Sequence, residues 1–363
     1  MTAATAPLRL GSRRSPMAVA QSGAVARLIT ERTGRPVEIV GITSLGDVSQ
    51  AQLTQIGGTG VFVSALRDSL LRAEVDFAVH SLKDLPTASP AGITLAAVPV
   101  RDDPRDALVG RDGVKLADLL PGAKIGTGSP RRAAQLALLR ADVTCVPIRG
   151  NANTRLAKVR DGELDAVVLA YAGLARIGHT DLVTQIFEPD EMVPAPGQGA
   201  LAVECRADDA ELTGLLASVD DRGTRAAVTA ERSLLAALEA GCSAPVGAFA
   251  ADAGGGRLRL DGVVLGAAAV SRGDAPRAPA EHHRYPPGEL DVFASSEMIV
   301  VREHGEAEAA DCVRLAFDLA ARMLSRGAAR LMGGAPGSMA ADTIAATTAP
   351  PDTARINRDD THD

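Results

Sequence analysis

The chain of 363 residues is too long for one ordinary hydrophobic core, which predicts two or three compact domains. Its formal net charge of −7 argues against a general nucleic-acid-binding protein, and no apolar run approaches the roughly 18 residues that a membrane span needs. The first residues lack the basic start and apolar stretch of a signal peptide, and the four cysteines lack metal-ligand spacing. We therefore expect a cytosolic protein that contacts neither nucleic acid nor membrane and holds no metal.

Strands and helices alternate at the start of the chain. Ser15 is a preferred N-cap, Pro16 suits the first helical position, and Gly34 supplies a stop. Residues 80–86 are predicted to form a loop at the carboxyl end of an apolar strand. The alternation indicates a mostly parallel sheet covered by helices. The predicted elements are a strand over 8–11, a helix beginning at 15, a strand over 37–43, a helix over 61–73 and a strand over 75–79.

A similar pattern begins again near residue 124. Residues 129–132 (Ser-Pro-Arg-Arg) repeat the N-cap and first-turn proline, now followed by two arginines. A turn over 194–199 precedes an apolar strand over 200–205, which is predicted to return to the first sheet and so to make the first domain discontinuous. Three strands are predicted in this second unit, over 124–126, 143–148 and 166–169.

The pattern changes after residue 223 to that of a smaller α+β domain. A helix over 224–240 ended by Gly241 is predicted first, then strands over 257–264 and 298–301, and then a helix over about 306–326. The composition of 271–290 indicates an inserted loop. We therefore predict an α/β protein with two α/β domains and a smaller α+β C-terminal domain. The predicted boundaries are 1–105 with 200–222, then 106–199, then 223–333, followed by a disordered tail over 334–363.

Basic side chains lie beside predicted helix N-termini in both halves of the α/β region. Unpaired N–H groups and the helix dipole favour an anion at such positions. Each arginine alone is equally well explained as a solvated surface residue, but the repetition at two helix starts favours one shared anionic ligand. The residues of this pattern are Arg13, Arg14, Ser15, Thr127, Ser129, Arg131, Arg132, Arg149, Arg155 and Arg176.

Lys83 and Asp84 follow the third predicted strand, where α/β proteins often place their sites. One carboxylate among many cations suits a mechanism that develops positive charge on the substrate. Taken alone, the pair is better explained as a solvated turn. His80, just before it, is more often a packed side chain than a catalytic one.

The four cysteines fall into two groups. Cys145 and Cys205 lie in apolar strands and Cys312 lies on an apolar helical stripe, so all three are predicted to be core residues. Cys242 instead lies in a predicted loop just after a helix, a position that allows its thiol to be accessible. A helix C-terminus raises the pKa of a thiol, so a reactive Cys242 requires cations elsewhere to offset that effect.

Eight ordered segments, covering about residues 8 to 250, resemble the hydroxymethylbilane synthase (porphobilinogen deaminase) family. Two positions depart from the family pattern, with Leu45 and Thr59 in place of the basic residues of many relatives. The segments are LRLGSRRSPMAVAQ, DFAVHSLKDLP, RDDPRDALV, IGTGSPRRAAQL, RGNANTRL, DAVVLAYAGLARIG, PAPGQGALAVECR and TAERSLLAALEAGCSAPVG.

The resemblance implies two domains like those of periplasmic binding proteins and a monomeric transferase of tetrapyrrole (heme) biosynthesis. Such an enzyme condenses four porphobilinogen molecules head to tail, with loss of ammonia, on a dipyrromethane cofactor held by a thioether, here to Cys242. Hydrolysis then releases hydroxymethylbilane. The family's catalytic aspartate falls on Asp84.

The resemblance also implies two overlapping sets of binding residues. Positions that bind the cofactor fall on Cys242, Arg13, Ser15, Lys83, Asp84, Thr127, Ser129, Arg131, Arg132, Arg149 and Gly150. Positions that bind the substrate fall on Arg13, Ser15, Gln21, Arg149, Arg155, Leu169, Ala170, Gly173, Arg176 and Gln198, and Asp47 matches a further site position.

Three other functions compete with this interpretation. A binding protein for a polycarboxylate uses the same two-lobed fold, but it requires a secretory signal and gives no role to Cys242 or Asp84. A ligand-sensing transcriptional regulator needs a helix-turn-helix segment, for which the first strand at Leu8 leaves no room before it. A relative that lacks the cofactor or the activity is not distinguished by sequence.

Overall fold

The computed structural model describes residues 6–42, 60–240, 244–267 and 298–332. The predictions that concern Leu45, Asp47, Thr59, Gly241, Cys242, the 271–290 insertion and the 334–363 tail lie outside these residues. The strands are β1 (Leu8–Arg13), β2 (Val37–Ile42), β3 (Phe77–Ser81), β4 (Ile93–Ala97), β5 (Asp106–Gly110), β6 (Lys124–Gly126), β7 (Thr144–Val146), β8 (Ala166–Ala170), β9 (Gln185–Ile186), β10 (Leu201–Arg206), β11 (Val246–Gly254), β12 (Arg257–Ala267) and β13 (Met298–Glu308).

The helices lie between and after these strands, and two of them begin as predicted. Ser15 Oγ accepts a hydrogen bond from Ala18 N at 3.3 Å, and Ser129 Oγ accepts one from Arg132 N at 3.5 Å. Within the described residues, no helix is both long enough and apolar enough to cross a membrane. The helices are α1 (Pro16–Thr33), α2 (Gly60–Leu71), α3 (Pro130–Leu139), α4 (Ala152–Arg160), α5 (Tyr171–Arg176), α6 (Ala210–Leu216), α7 (Arg222–Ala237), α8 (Cys312–Ser325) and α9 (Ala328–Leu331).

The first two sheets share one arrangement. The first has the strand order β2-β1-β3-β10-β4 and the second has the order β7-β6-β8-β5-β9. In each five-stranded sheet, four strands run in the same direction, and the strand that is fourth in the order runs antiparallel to both of its neighbours. The prediction that β10 returns to the first sheet is confirmed, and so is the prediction of mostly parallel sheets. The fourth strand, β5 or β10, follows a crossing between the two sheets, and it enters its sheet in the opposite direction.

The third sheet is small and antiparallel, with the order β11-β12-β13. Helices α7 and α8 pack on it through buried residues such as Leu234 and Leu319, and Cys312 lies in this core as predicted. The α/β class with a smaller C-terminal unit is therefore confirmed, whereas the residue boundaries of the three domains stay a prediction.

Several element boundaries differ from the predictions. His80 and Ser81 are still part of β3, because both pair with β10, so the loop begins later than predicted. Glu306 lies in β13 opposite Arg259, because the β12–β13 ladder continues to Glu308, and helix α8 begins only at Cys312.

The end of α7 also comes earlier than predicted. The helix ends at Ala237, and Glu239 takes the left-handed conformation with φ of 52°. The Ala240 N–H then bonds to the Leu235 carbonyl at 3.2 Å, which closes the end as a Schellman motif without the predicted Gly241.

A buried ion pair joins α2 to the first sheet. Arg67 donates two hydrogen bonds to Glu204, at 2.7 and 2.9 Å, and His80 Nε2 lies 3.3 Å from the same carboxylate, although without hydrogen-bond geometry. Burial alone raises the pKa of Glu204, but Arg67 and His80 together lower it to about 2. His80 is therefore a packed residue, as the sequence analysis expected.

The lowered pKa of Glu204 predicts an acid-dependent contribution to stability. The folded value of about 2 lies below the ordinary value of 4.5, so the contribution is complete above that ordinary value and is lost as the pH falls towards about 2. We expect Glu204→Gln to have a lower free energy of unfolding than the wild type. The difference between the two proteins is expected to be larger at pH ~6 than at pH ~2, by about 3 kcal/mol. Urea titrations of both proteins measure this, and a difference that is constant with pH would contradict it.

Candidate functional site

The candidate site lies where the first two sheets meet. The carboxyl end of β3 leads into a single 3-10 turn, Leu82–Asp84, and the N-termini of α1 and α3 follow β1 and β6. Such strand ends are the usual ligand-binding edge of α/β sheets. The two halves come close together, since a Cβ added to Gly173 on α5 would lie 3.4 Å from Met17 Cε on α1. Side chains from both sheets therefore line one cleft.

Gln198 links the two halves of this cleft. Its side-chain oxygen accepts from Lys83 Nζ at 3.1 Å and from Arg132 Nη2 at 3.4 Å. Its amide nitrogen donates to the Pro104 carbonyl at 2.7 Å and to Asp106 Oδ1 at 2.9 Å. Gln198 is fully buried. The resemblance assigns Gln198 to substrate binding, but in this structure each polar atom of its side chain bonds to the protein.

Asp106, which the sequence analysis did not single out, holds both arginines of α3. Arg131 Nη1 lies 2.8 Å from Asp106 Oδ2, and Arg132 donates to Oδ1 from Nε at 2.9 Å and from Nη2 at 2.7 Å. All three side chains are buried. Burial alone raises the pKa of Asp106, but the two guanidinium charges hold it far below its usual range. Two cations against one carboxylate leave a buried excess of positive charge.

The pKa values of the neighbouring cations reflect this excess. Burial, and next the charge of Arg132, lowers the pKa of Lys83 to about 8. Burial also lowers the pKa of Arg131 and Arg155, and the charge of Arg132 adds to the effect at both. A bound anion relieves this repulsion, so the electrostatics of the site favour a negatively charged ligand.

The loops of the second sheet add polar groups to the same cleft. Thr127 is buried and its Oγ1 accepts from Ser129 N at 3.2 Å, while Arg155 Nε donates to the Gly150 carbonyl at 2.9 Å. Gly150 has φ of 101°, a conformation that glycine adopts without strain. Arg149 is exposed, and within the described part of the chain it has no hydrogen-bond or ion-pair partner. Arg149 is therefore available to a ligand.

The remaining predicted substrate-binding residues differ in solvent exposure and in whether the protein already provides their hydrogen-bond partners. Arg176 donates to Asp102 Oδ2 at 2.8 Å and to the Gly199 carbonyl at 2.6 Å, so its guanidinium group already has hydrogen-bond partners within the protein. Leu169 and Gln21 are buried. Four residues are half-buried: Arg13 at the end of β1, Ser15 at the N-cap of α1, Ala170 at the end of β8 and Gly173 within α5.

Asp84 differs from every other acidic group of the site. Its side chain is exposed, and among the described residues it has neither a hydrogen-bond nor an ion-pair partner. It follows Lys83 directly in the turn after β3, so it adjoins this half-buried cation. A carboxylate in this position is free to contact a cationic or N–H-bearing part of a ligand.

The donor set fits the dipyrromethane group that the resemblance implies. Each pyrrole unit carries two carboxylates, so the group needs several cations. Arg131 Nε is buried and has no hydrogen-bond partner in the described residues, and Arg149 has no protein partner there either. Together with Lys83 and Arg132, these side chains provide unneutralised charge for such a group.

The fold and the site define an α/β protein with a cationic cleft that is suited to a polycarboxylate ligand. The family profile described as "Porphobilinogen deaminase, dipyromethane cofactor binding domain" matches residues 8–214, and the family's C-terminal domain matches residues 225–272. The chain belongs to the porphobilinogen deaminase family. It is a transferase of porphyrin and heme biosynthesis that condenses porphobilinogen and uses a dipyrromethane cofactor.

Curated relatives support the same family. The porphobilinogen deaminase of Thermobifida fusca is 66% identical over 264 residues, which are 72% of this chain and 82% of that protein. Porphobilinogen deaminase 1 of Streptomyces coelicolor is 56% identical over 334 residues, which are 90% of this chain and 97% of that protein.

One solved structure with a distant likeness comes from a periplasmic protein. The periplasmic VFT2 domain of Bordetella pertussis BvgS is similar with a TM-score of 0.37 and 18% identity, over 58% of this chain and 86% of that one. Because this score is low, the description of the fold depends on the strand pairing and not on this likeness.

Proposed function

We propose that this chain joins four porphobilinogen molecules head to tail on a dipyrromethane group attached to Cys242, and releases hydroxymethylbilane by hydrolysis. The observation that supports this most directly is the unpaired, exposed carboxylate of Asp84 next to the half-buried Lys83, at the cleft that also holds the buried Arg131 and Arg132. The family resemblance further supports a monomer that acts in the cytosol on this small molecule.

The cations bind and orient the acidic side chains of the pyrroles. Lys83, Arg131, Arg132 and Arg149 supply charge from both sheets, and each charge-assisted contact shielded from water contributes roughly 1.5–3 kcal/mol. Because Asp106 and Gln198 fix the two buried arginines, their positions are set before a ligand arrives. Such preorganised cations hold successive units in one orientation.

Asp84 provides the opposite charge at the reacting centre. We assign it to accept hydrogen bonds from pyrrole N–H groups and to stabilise the positive charge that develops on the incoming porphobilinogen as its amino group leaves as ammonia. Its lack of a protein partner leaves both carboxylate oxygens available for this contact. When bound, the dipyrromethane group supplies the pyrrole carbon that each incoming unit joins.

The stoichiometry of the reaction tests this proposal. With porphobilinogen as the only substrate, we expect one ammonia released per porphobilinogen consumed and one linear tetrapyrrole per four consumed. Enzymatic ammonia determination and absorbance of the oxidised product measure the two ratios. Saturable binding of porphobilinogen with no ammonia release would instead establish the polycarboxylate-binding protein.

The lowered pKa of Lys83 predicts proton uptake on ligand binding. In the Cys242→Ser variant, which has no thiol to hold the cofactor, the Lys83 ammonium loses its proton as the pH rises through about 8. A bound carboxylate raises this pKa again, so binding takes up a proton at pH ~8.5 and takes up little at pH ~7. Calorimetric titration with porphobilinogen in buffers of different ionisation enthalpy measures the uptake.

A Lys83→Arg substitution in the same variant is the matched control. Arginine stays protonated at both pH values, so the uptake at the higher pH is expected to disappear. If proton uptake at pH ~8.5 is undiminished in the Lys83→Arg variant, the proton is taken up by a group other than Lys83.

A further inference from the structure

We infer that Arg232 is a positioning residue for Asp84, an inference that deepens the proposed function and rests on it. Arg232 lies on α7, the helix whose chain continues towards Cys242. Its guanidinium group contacts the backbone of the turn that holds Lys83 and Asp84.

Three backbone carbonyls of this turn accept hydrogen bonds from Arg232. Its Nη1 donates to the Leu82 carbonyl at 3.2 Å and to the Leu85 carbonyl at 3.0 Å, and its Nη2 donates to the Pro86 carbonyl at 2.6 Å. The planar guanidinium presents its N–H groups in a fixed geometry, so the three contacts together restrict how the turn moves. Arg232 therefore holds both ends of the 3-10 turn that carries Asp84.

The position of the Asp84 carboxylate depends on this backbone. Within the described residues no side chain or backbone group bonds to the carboxylate itself, so the turn alone sets its place. The turn is tied to the first sheet at its start, where Leu82 N donates to the Ala200 carbonyl at 3.0 Å. On its other side the contacts come from Arg232, which belongs to the C-terminal unit.

Helix α7 is itself firmly placed, which makes it a suitable support. Glu231, the residue before Arg232, is fully buried. Its carboxylate accepts from Arg101 at 2.6 and 3.0 Å, from Gly197 N at 2.6 Å and from Ala250 N at 2.9 Å. The helix is thus fixed to β11 and, through Arg101 and Gly197, to both chain segments that connect the first two sheets. A displacement of α7 is transmitted to the catalytic turn through Arg232.

Arg225 offers a matched control on the same helix. It also ties α7 to backbone carbonyls of the first sheet, donating from Nη2 to Ala96 at 3.1 Å and to Leu95 at 3.4 Å. These carbonyls belong to β4 and not to the catalytic turn. Loss of Arg225 therefore weakens the attachment of the C-terminal unit without touching the turn that carries Asp84.

The test compares Arg232→Met, Arg232→Lys and Arg225→Met in the full-length, cofactor-bearing enzyme. Methionine keeps the apolar part of the side chain, and it has room because Arg232 lines a cavity of ≈170 Å³ with Thr87 and Ser233. We expect kcat of Arg232→Met to fall roughly 10- to 100-fold, with KM little changed. The kcat of Arg232→Lys is expected to lie between those of Arg232→Met and the wild type. The kcat of the control, Arg225→Met, is expected to stay within about twofold of the wild type. Intact mass confirms that each protein carries its cofactor.

A second substitution separates positioning from structural support. If Arg232 acts through Asp84, adding Arg232→Met to Asp84→Asn slows the residual turnover no further. An equal kcat loss in the Arg225 and Arg232 variants, or a full additional loss in the double variant, would overturn the inference. If Arg232→Met does not fold, the same comparison is made with Arg232→Lys alone and with Arg232→Lys combined with Asp84→Asn. A wild-type protein that makes no tetrapyrrole would refute the proposed function instead.

Discussion

Replacement of Asp84 by asparagine is expected to reduce kcat by roughly 10²- to 10⁴-fold while leaving the fold intact. The substitution keeps the shape of the side chain and removes the negative charge that we assign to the pyrrole nitrogens. Because Asp84 is exposed and unpaired among the described residues, its loss removes no contact that holds the protein together. Steady-state rates with porphobilinogen and a thermal melt of the same sample measure the two expectations.

Asp118→Asn is the matched control for this experiment. Asp118 is also an exposed aspartate at the third position of a single 3-10 turn, Leu116–Asp118, but it lies away from the cleft. We expect its kcat to equal that of the wild type. Full activity in Asp84→Asn, with the cofactor still attached, would remove Asp84 from the catalytic role.

The second large effect is expected at Asp106. Asp106→Ala leaves Arg131 and Arg132 buried with no counter-charge, and the loss of one partner from a buried ion pair typically costs about 3–5 kcal/mol. We also expect the variant to assemble its cofactor poorly, because both guanidinium groups lose their fixed positions. Urea unfolding measures the first effect, and the fraction of protein with cofactor, read by intact mass, measures the second.

An exposed ion pair of the same residue types provides the comparison. Asp142 pairs with Arg140 at 2.7 Å on the surface of the second sheet, with 45% of the Asp142 side chain exposed. Asp142→Ala is expected to change the free energy of unfolding by no more than about 1 kcal/mol. If the Asp106 and Asp142 variants lost the same stability, the buried network would not anchor the arginines in the way that we describe.

Local signals in the sequence were sufficient for the helix starts of the site. The Ser-Pro pairs at 15–16 and 129–130 correctly located the caps of α1 and α3, because an N-cap depends on groups within one turn. The same signals placed Arg131 and Arg132 next to a helix N-terminus. They did not reveal that both side chains are buried and paired with Asp106.

The partners of those arginines depend on the tertiary structure. Asp106 begins an apolar strand, β5, and only the packing of β5 beside α3 turns its carboxylate into an internal counter-ion. Gln198 likewise bonds to residues 83, 104, 106 and 132, which no local pattern connects. An acidic residue at the first position of an otherwise apolar strand was the one available sign of Asp106.

The reversed direction of one strand in each sheet and the end of α7 were not predicted, for similar reasons. Hydrophobic alternation identifies a strand but carries no information on the direction in which it enters a sheet, so the antiparallel placement of β5 and β10 was not predictable. Glycine was the expected residue at the end of α7, yet Glu239 takes the left-handed position there. The surrounding contacts offset the strain of that conformation.

The central claim is that a pyrrole-built cofactor is attached to Cys242, and the intact mass of the purified protein under denaturing conditions tests it most directly. We expect the wild type to exceed its sequence mass by two linked pyrrole units, and the Cys242→Ser variant to match its own sequence mass. A wild type without this excess, even after incubation with porphobilinogen, would contradict the proposed function.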